Sequence, residues 1–185
     1  MTALEGEWIL QNLDASATGG LFDRIIGLKG LPRFQPTLTL NQIADLLDSV
    51  EDVPDEEGNP DWGICPLLEE GKCTIYAFRP FMCRSMVSEV SCQDLGHATM
   101  NPFVLTVAHV LMQYIEHLDV KGFSGNLSDV FLELAESDGA YRKDLTRPSA
   151  PRCGVIPNRP LRRLMVPWEH REKIQDLIKK LDSKV

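Results

Sequence analysis

At 185 residues, 43% hydrophobic and 25% charged, the chain can bury one sizeable core. This sets a single domain over residues 1–185 as the expectation and excludes a largely disordered protein. A formal charge of −8 argues against general nucleic-acid binding, which needs a basic surface. The opening MTALEGEWIL carries Glu5 and Glu7 and lacks the basic-then-apolar pattern of a signal peptide. The most apolar run, FVLTVAHVLM, is interrupted by Thr106 and His109 and is too short for a bilayer, so the expected setting is cytoplasmic, without a membrane segment.

The first 35 residues show no clear periodicity, and Gly19, Gly20, Gly27 and Gly30 argue against a long regular element there. Residues 40–50 place Ile43, Leu46, Leu47 and Val50 at helical spacing, and Thr39 with Gln42 resembles a capping box. An acidic loop, EDVPDEEGNPDWG, then leads to Cys65. KCTIYAF is rich in strand formers and reads as one short strand, stopped by Pro80. Asn101-Pro102 reads as an N-cap and first helical position, opening an apolar and centrally buried helix, FVLTVAHVLMQYIEHL. Gly122 and Gly125 break the chain. Asn126 then caps a helix with Leu127, Val130, Phe131 and Leu134 on one face. Residues 141–163 are Pro-rich and basic and read as a loop. Pro167 opens a last amphipathic helix whose inner stripe is Ile174, Leu177, Ile178 and Leu181. Core positions expected on these helices include Leu46, Leu47, Leu111, Ile115, Leu134 and Leu177. No internal repeat is present.

Four of the five cysteines lie between Cys65 and Cys92, spaced Cys65-x7-Cys73-x9-Cys83-x8-Cys92. Four thiolates suit a tetrahedral zinc site or an iron–sulfur centre, because both need soft anionic ligands. No pair has the C-x-x-C spacing of compact structural zinc sites, which leans the spacing toward iron. The competing reading is four small buried apolar residues, since free cysteine packs well in cores. Density favours a metal: so many clustered thiols with nothing bound invite oxidation, and disulfides are rare in the cytosol. His97, five residues after Cys92, is a possible alternative ligand.

The string CPLLEEGKCTIYAFRPFMCRSM closely resembles the signature of the YkgJ-like cysteine-cluster proteins, a family of zinc- or iron-chelating domains. Cys65, Cys73, Cys83 and Cys92 fall on that pattern, as do Pro66, Leu68, Ile75, Tyr76, Arg79, Pro80 and Arg84. The match spans residues 62–97. The family's upstream cysteine group has no counterpart before Cys65. The resemblance implies one zinc or iron ion, or an iron–sulfur cluster, held by the four cysteines. A similar signature in flagellin lysine methylases implies that an iron–sulfur version exists.

Thiolates around such a centre carry net negative charge, which burial makes costly. Arg79 and Arg84 are placed to offset it, and Tyr76 to order the ligand loop. Tyr76 and Ile75 alternate in direction, so one of them faces the core. Residues 62–97 hold few periodic apolar residues, so their order is expected to depend on the metal.

Other signals are weaker. His109, Gln113 and His117 recur along one helix face and read as structural. His170 completes no H-E-x-x-H motif, and no P-loop, dinucleotide or nucleophile-elbow pattern occurs. Cys153 beside Arg152 is a candidate reactive thiol, more simply an incidental one. Arg142, Lys143, Arg147, Arg152, Arg159, Arg162 and Arg163 form a basic stretch able to face an acidic protein partner or the EDVPDEE loop, though such runs are usually only solvated.

The expected fold is mainly α: a single helical domain with an irregular, cysteine-rich, metal-organised central segment and at most a short strand. The expected function is metal binding in metal handling, electron transfer or support of a modifying enzyme. A structural zinc module in a protein-interaction adaptor is the alternative. A protein-modifying enzyme is a further one, for which no catalytic constellation is visible.

Overall fold

The computed structural model describes residues 1–49, 65–90, 99–136 and 154–184. These residues form a mainly α structure: seven α-helices with only two small two-stranded sheets. None of the described helices is long and apolar enough to cross a membrane. Val50, the EDVPDEE loop and residues 141–153 lie outside the described residues.

The glycine-rich opening is helical, against the sequence expectation. Helix α1 (Ala3–Asn12) starts at a capping box: Glu5 N donates to Thr2 Oγ1 at 3.2 Å, and Thr2 N donates to Glu5 Oε2 at 2.9 Å. Helix α2 (Ala15–Gly27) starts where Asp14 accepts from Ala17 N at 2.8 Å. Gly19 and Gly20 sit on its exposed face, where a Cβ would meet nothing within 4 Å. Buried Leu21 and Ile25 supply the tertiary contacts that outweigh poor propensity. Gly6 plays a different part. A Cβ there would lie 2.7 Å from Leu134 Cδ1, so the missing side chain sets how closely α1 packs on its neighbour.

Helix α3 (Leu40–Ser49) carries the expected capping box, with Thr39 N donating to Gln42 Oε1 at 2.9 Å and Gln42 N to Thr39 Oγ1 at 3.3 Å. Among the described side chains of this helix Asn41 and Ala44 are buried, whereas Leu47 is 59% exposed and not part of the core.

The expected strand KCTIYAF is shorter than its composition suggests. Strands β1 (Leu68–Glu69) and β2 (Lys72–Cys73) form an antiparallel hairpin. A 3₁₀ turn, Tyr76–Phe78, follows, and α4 (Phe81–Ser85) begins after Arg79-Pro80. The hairpin tip is Glu70-Gly71, with φ of 49° and 76°, both left-handed as a type I′ turn requires.

Helix α5 (Pro102–Leu118) has the predicted start, Asn101 Oδ1 accepting from Phe103 N at 3.0 Å. It is less buried than its apolar sequence implies, since Val104, Leu105 and Leu118 are exposed. Strand β3 (Phe123–Gly125) pairs antiparallel with β4 (Val155–Pro157), and Thr2 bridges to Ser124. Helix α6 (Leu127–Glu136) is capped by Asn126, which accepts from Ser128 N at 3.0 Å. A 3₁₀ turn, Trp168–His170, precedes the last helix, α7 (Arg171–Asp182).

Side chains gather in two regions. Around α6, Ile9, Leu21, Ile25 and Phe131 meet Leu67 and Ile75 of the cysteine segment, while Ala3, Val130, Leu134 and Val155 pack beside them. Around α5, Val110 and Tyr114 meet Ile174, with the predicted stripe Leu177, Ile178 and Leu181 against them.

A buried polar strip on α5 joins the segments across the fold. Gln113 Nε2 donates to Asn41 Oδ1 at 3.1 Å and to Arg163 O at 2.8 Å, and its Oε1 accepts from Met165 N at 2.9 Å. Glu116, 3% exposed, accepts from Asn41 N at 2.9 Å and Arg159 N at 2.8 Å. His117 Nδ1 accepts from Leu161 N at 3.2 Å. Asp119 Oδ2 accepts from Leu4 N at 3.0 Å and from Asn158 Nδ2 at 3.1 Å. Among the described residues, no buried side-chain nitrogen or oxygen lacks a partner. Gln113 and His117 are thus structural, as their spacing suggested.

Two outcomes check this account by chemical denaturation. Gly19→Ala and Gly20→Ala should each stabilise by about 0.5–1 kcal/mol, whereas Gly6→Ala should destabilise by about 1–3 kcal/mol through overpacking. Glu116→Gln places an amide donor where two backbone donors converge and should cost about 1–3 kcal/mol. A neutral Gly6→Ala or Glu116→Gln would contradict the packing and the hydrogen bonding described.

Candidate metal centre

Cys65 and Cys73 lie at the two feet of the β1–β2 hairpin. Leu68 N donates to Cys65 O at 3.0 Å, and Leu68 is the register partner of Cys73. Thr74 N closes the base onto Leu67 O at 2.8 Å. Leu67 and Ile75 flank the hairpin and are buried, 1% and 4% exposed, in the core formed with α1, α2 and α6. The segment is therefore anchored by its own burial, which corrects the expectation that it has little. Arg24 of α2 adds an ion pair to Glu69 at 2.5 Å. Ile75 faces the core and Tyr76 is exposed, the alternation expected of the pair.

Cys83 comes from α4, positioned by two side chains. Glu5 Oε1 accepts from Phe81 N at 2.8 Å, so the carboxylate that caps α1 also receives the first N–H of α4. Arg84 Nε donates to Arg79 O at 2.8 Å and its Nη2 to Ala77 O at 2.8 Å, stitching the 3₁₀ turn to α4. Arg79 stacks its guanidinium 3.9 Å above the Tyr76 ring centroid. Both arginines and Tyr76 thus brace the backbone that carries Cys83. Glu5 was not singled out as a site residue. The signal for it was the Thr2-x-x-Glu5 capping pattern.

All three described cysteines are free thiols, with Cys65 and Cys83 exposed and Cys73 half-buried. Partial desolvation pushes the thiol of the exposed Cys83 up from its ordinary value, and the neighbouring Cys65 and Cys73 push it further. The three sulfurs are thus electrostatic neighbours, although among the described residues no three Cys, His, Asp or Glu side chains are grouped to hold one metal ion. The donor chemistry fits a thiophilic metal, since a cation placed among thiols that disfavour one another's ionisation relieves that repulsion. Cys92, His97 and Cys153 lie outside the described residues, as do Arg142, Lys143, Arg147 and Arg152. Arg159, Arg162 and Arg163 are exposed on the chain after β4.

Glu5→Ala removes the acceptor for α1 and α4 together. In metal-free protein, alkylation mapped by mass spectrometry should show Cys83 reacting several-fold faster than in the parent, with Cys73 little changed, as expected when a cap worth about 1 kcal/mol is lost. Identical Cys83 rates would show that Glu5 does not position α4. Comparison with known protein families, with curated proteins and with solved structures finds no match to this chain.

Proposed function

We propose that this chain is a metal-binding protein holding one centre, of zinc, iron or iron–sulfur type, through Cys65, Cys73, Cys83 and Cys92. The observation that supports the reading is that Cys65 and Cys73, at the base of one core-anchored hairpin, lie near enough to Cys83 on α4 to raise its pKa. The resemblance of residues 62–97 to the YkgJ-like proteins supports the same ligand set. When bound, the metal neutralises the thiolates and, if iron–sulfur, supplies a one-electron couple. The chain's own contribution is positional. Leu67 and Ile75 fix the hairpin, and Glu5 and Arg84 fix the helix that brings in Cys83. The exposure of Cys65 and Cys83 suits a centre reached from the surface, in metal handling, electron transfer or support of a modifying enzyme. A reducing, cytoplasmic compartment would keep these thiols available.

Anaerobic purification with elemental analysis and visible absorbance tests this directly. About one centre per chain is expected, brown if iron–sulfur and colourless if zinc. Cys83→Ser should lose most of the metal and Cys153→Ser should keep it. Equal metal in Cys83→Ser and parent would refute the ligand assignment. Chelation should leave most far-UV helical signal, because helices supply most of the buried side chains of both apolar cores.

A further inference from the structure

A cavity of about 770 Å³ opens between α3, the N-terminal half of α5 and the chain from Arg163 to Arg171. Its size falls within the ~300–1,000 Å³ of small-molecule sites. None of the described cysteines borders it. Its apolar walls include Leu47 and Leu105, side chains that the fold leaves exposed with no core to join.

The polar lining is built around Thr106 and His170. Thr106 is buried, and its hydroxyl lies 3.1 Å from Pro102 O and 2.8 Å from His170 Nδ1. A threonine has one hydroxyl hydrogen, and donating it to Pro102 O leaves Oγ1 to accept from Nδ1–H. Both contacts are satisfied only in that arrangement. It places the proton of neutral His170 on Nδ1 and leaves Nε2 as an acceptor. The ring is held edge-on to Phe103, with centroids 5.3 Å apart, so the orientation is fixed as well as the tautomer. Nε2 has no partner among the described residues.

His109, one turn along α5 from Thr106, also borders the cavity and has no hydrogen-bond partner among the described residues. Burial lowers its pKa, which favours the uncharged ring. Arg171 and Arg163 bring positive charge to the lining, and among the described lining residues Glu169 brings a carboxylate. Arg171 and Glu169 are exposed and make no ion pair among the described residues. Both rings are half-buried and turn these open edges to the cavity. Two uncommitted imidazole edges beside an arginine pair and an apolar wall describe a recognition site.

We propose that this cavity binds a small organic anion: a carboxylate or phosphate on an apolar, hydroxyl-bearing body. Arg171 takes the anionic group, with Arg163 adding positive charge beside it, Leu47 and Leu105 take the apolar body, and His170 Nε2 accepts from the ligand hydroxyl. The site is independent of the metal reading and stands or falls separately from it.

The test uses the full chain and four probes: 4-hydroxybenzoate, 4-hydroxyphenyl phosphate, neutral 4-hydroxybenzyl alcohol and cationic benzylamine. Histidine-ring ¹H–¹⁵N spectra are followed at fixed pH. One or both anions should shift the His170 and His109 ring signals saturably, and which anion binds tighter identifies the charged group. The neutral alcohol should bind about tenfold more weakly, and Arg171→Gln should weaken the anion by about tenfold (~1.4 kcal/mol). Arg171 is exposed, so this variant should keep its far-UV spectrum, and Arg163→Gln provides a second check. No saturable shift with either anion up to about 10 mM, where even millimolar affinity would show, overturns the proposal. So does preference for benzylamine, equal binding of the alcohol, or anion affinity unchanged in both arginine variants.

Discussion

The fold depends on carboxylates placed where helices begin. Glu116, on α5, receives the N–H of Asn41 at the start of α3. Asp119, just past the end of α5, receives Leu4 N at the start of α1. Glu5, on α1, receives Phe81 N at the start of α4. Each contact satisfies an N–H that its own helix leaves without a partner, and each places negative charge against the positive end of a helix dipole. The three carboxylates do what apolar burial cannot. They fix where along its length each helix is met, because a hydrogen bond has a direction and apolar area does not.

The cysteine segment inherits its placement from this frame. Glu5 can hold α4 only because α1 is fixed, and α1 is fixed partly through Asp119. The hairpin is secured by a second route, with Leu67 and Ile75 sunk among Ile9, Leu21, Ile25 and Phe131. Cys83 is therefore positioned by polar contacts and Cys65 with Cys73 by apolar ones. The polar half is the more sensitive to single substitutions, since removing one acceptor strands its donor.

Where the sequence was informative, a local physical rule sufficed. Thr39 with Gln42, Asn101 before Pro102, and the Ile174 stripe are each decided within one or two helical turns, and each is found as read. Thr2 with Glu5 obeys the same rule, but the glycines that follow masked it. Their low propensity is overridden by Leu21 and Ile25, whose burial is not local information. Leu47 misled for the complementary reason: its helical spacing is right, but the buried face of α3 turns on Asn41, which pairs with Gln113 instead of with apolar neighbours. At the candidate centre, the cysteine density was plain in the sequence. The burial of Leu67 and Ile75 was not, because two apolar residues separated by a hairpin have no periodicity to detect.

The contact between Leu4 and Asp119 spans 115 residues of chain, which bears on how the protein emerges from a ribosome. At roughly 5–20 residues per second, α1 waits on the order of ten seconds for the carboxylate that receives it. Cys65, Cys73 and Cys83 are all synthesised within that interval. The thiols thus meet the cell before α5 and α6 can close around α1, with the hairpin not yet seated against Phe131. A nascent chain in that condition depends on the reducing power of its surroundings more than the finished fold does.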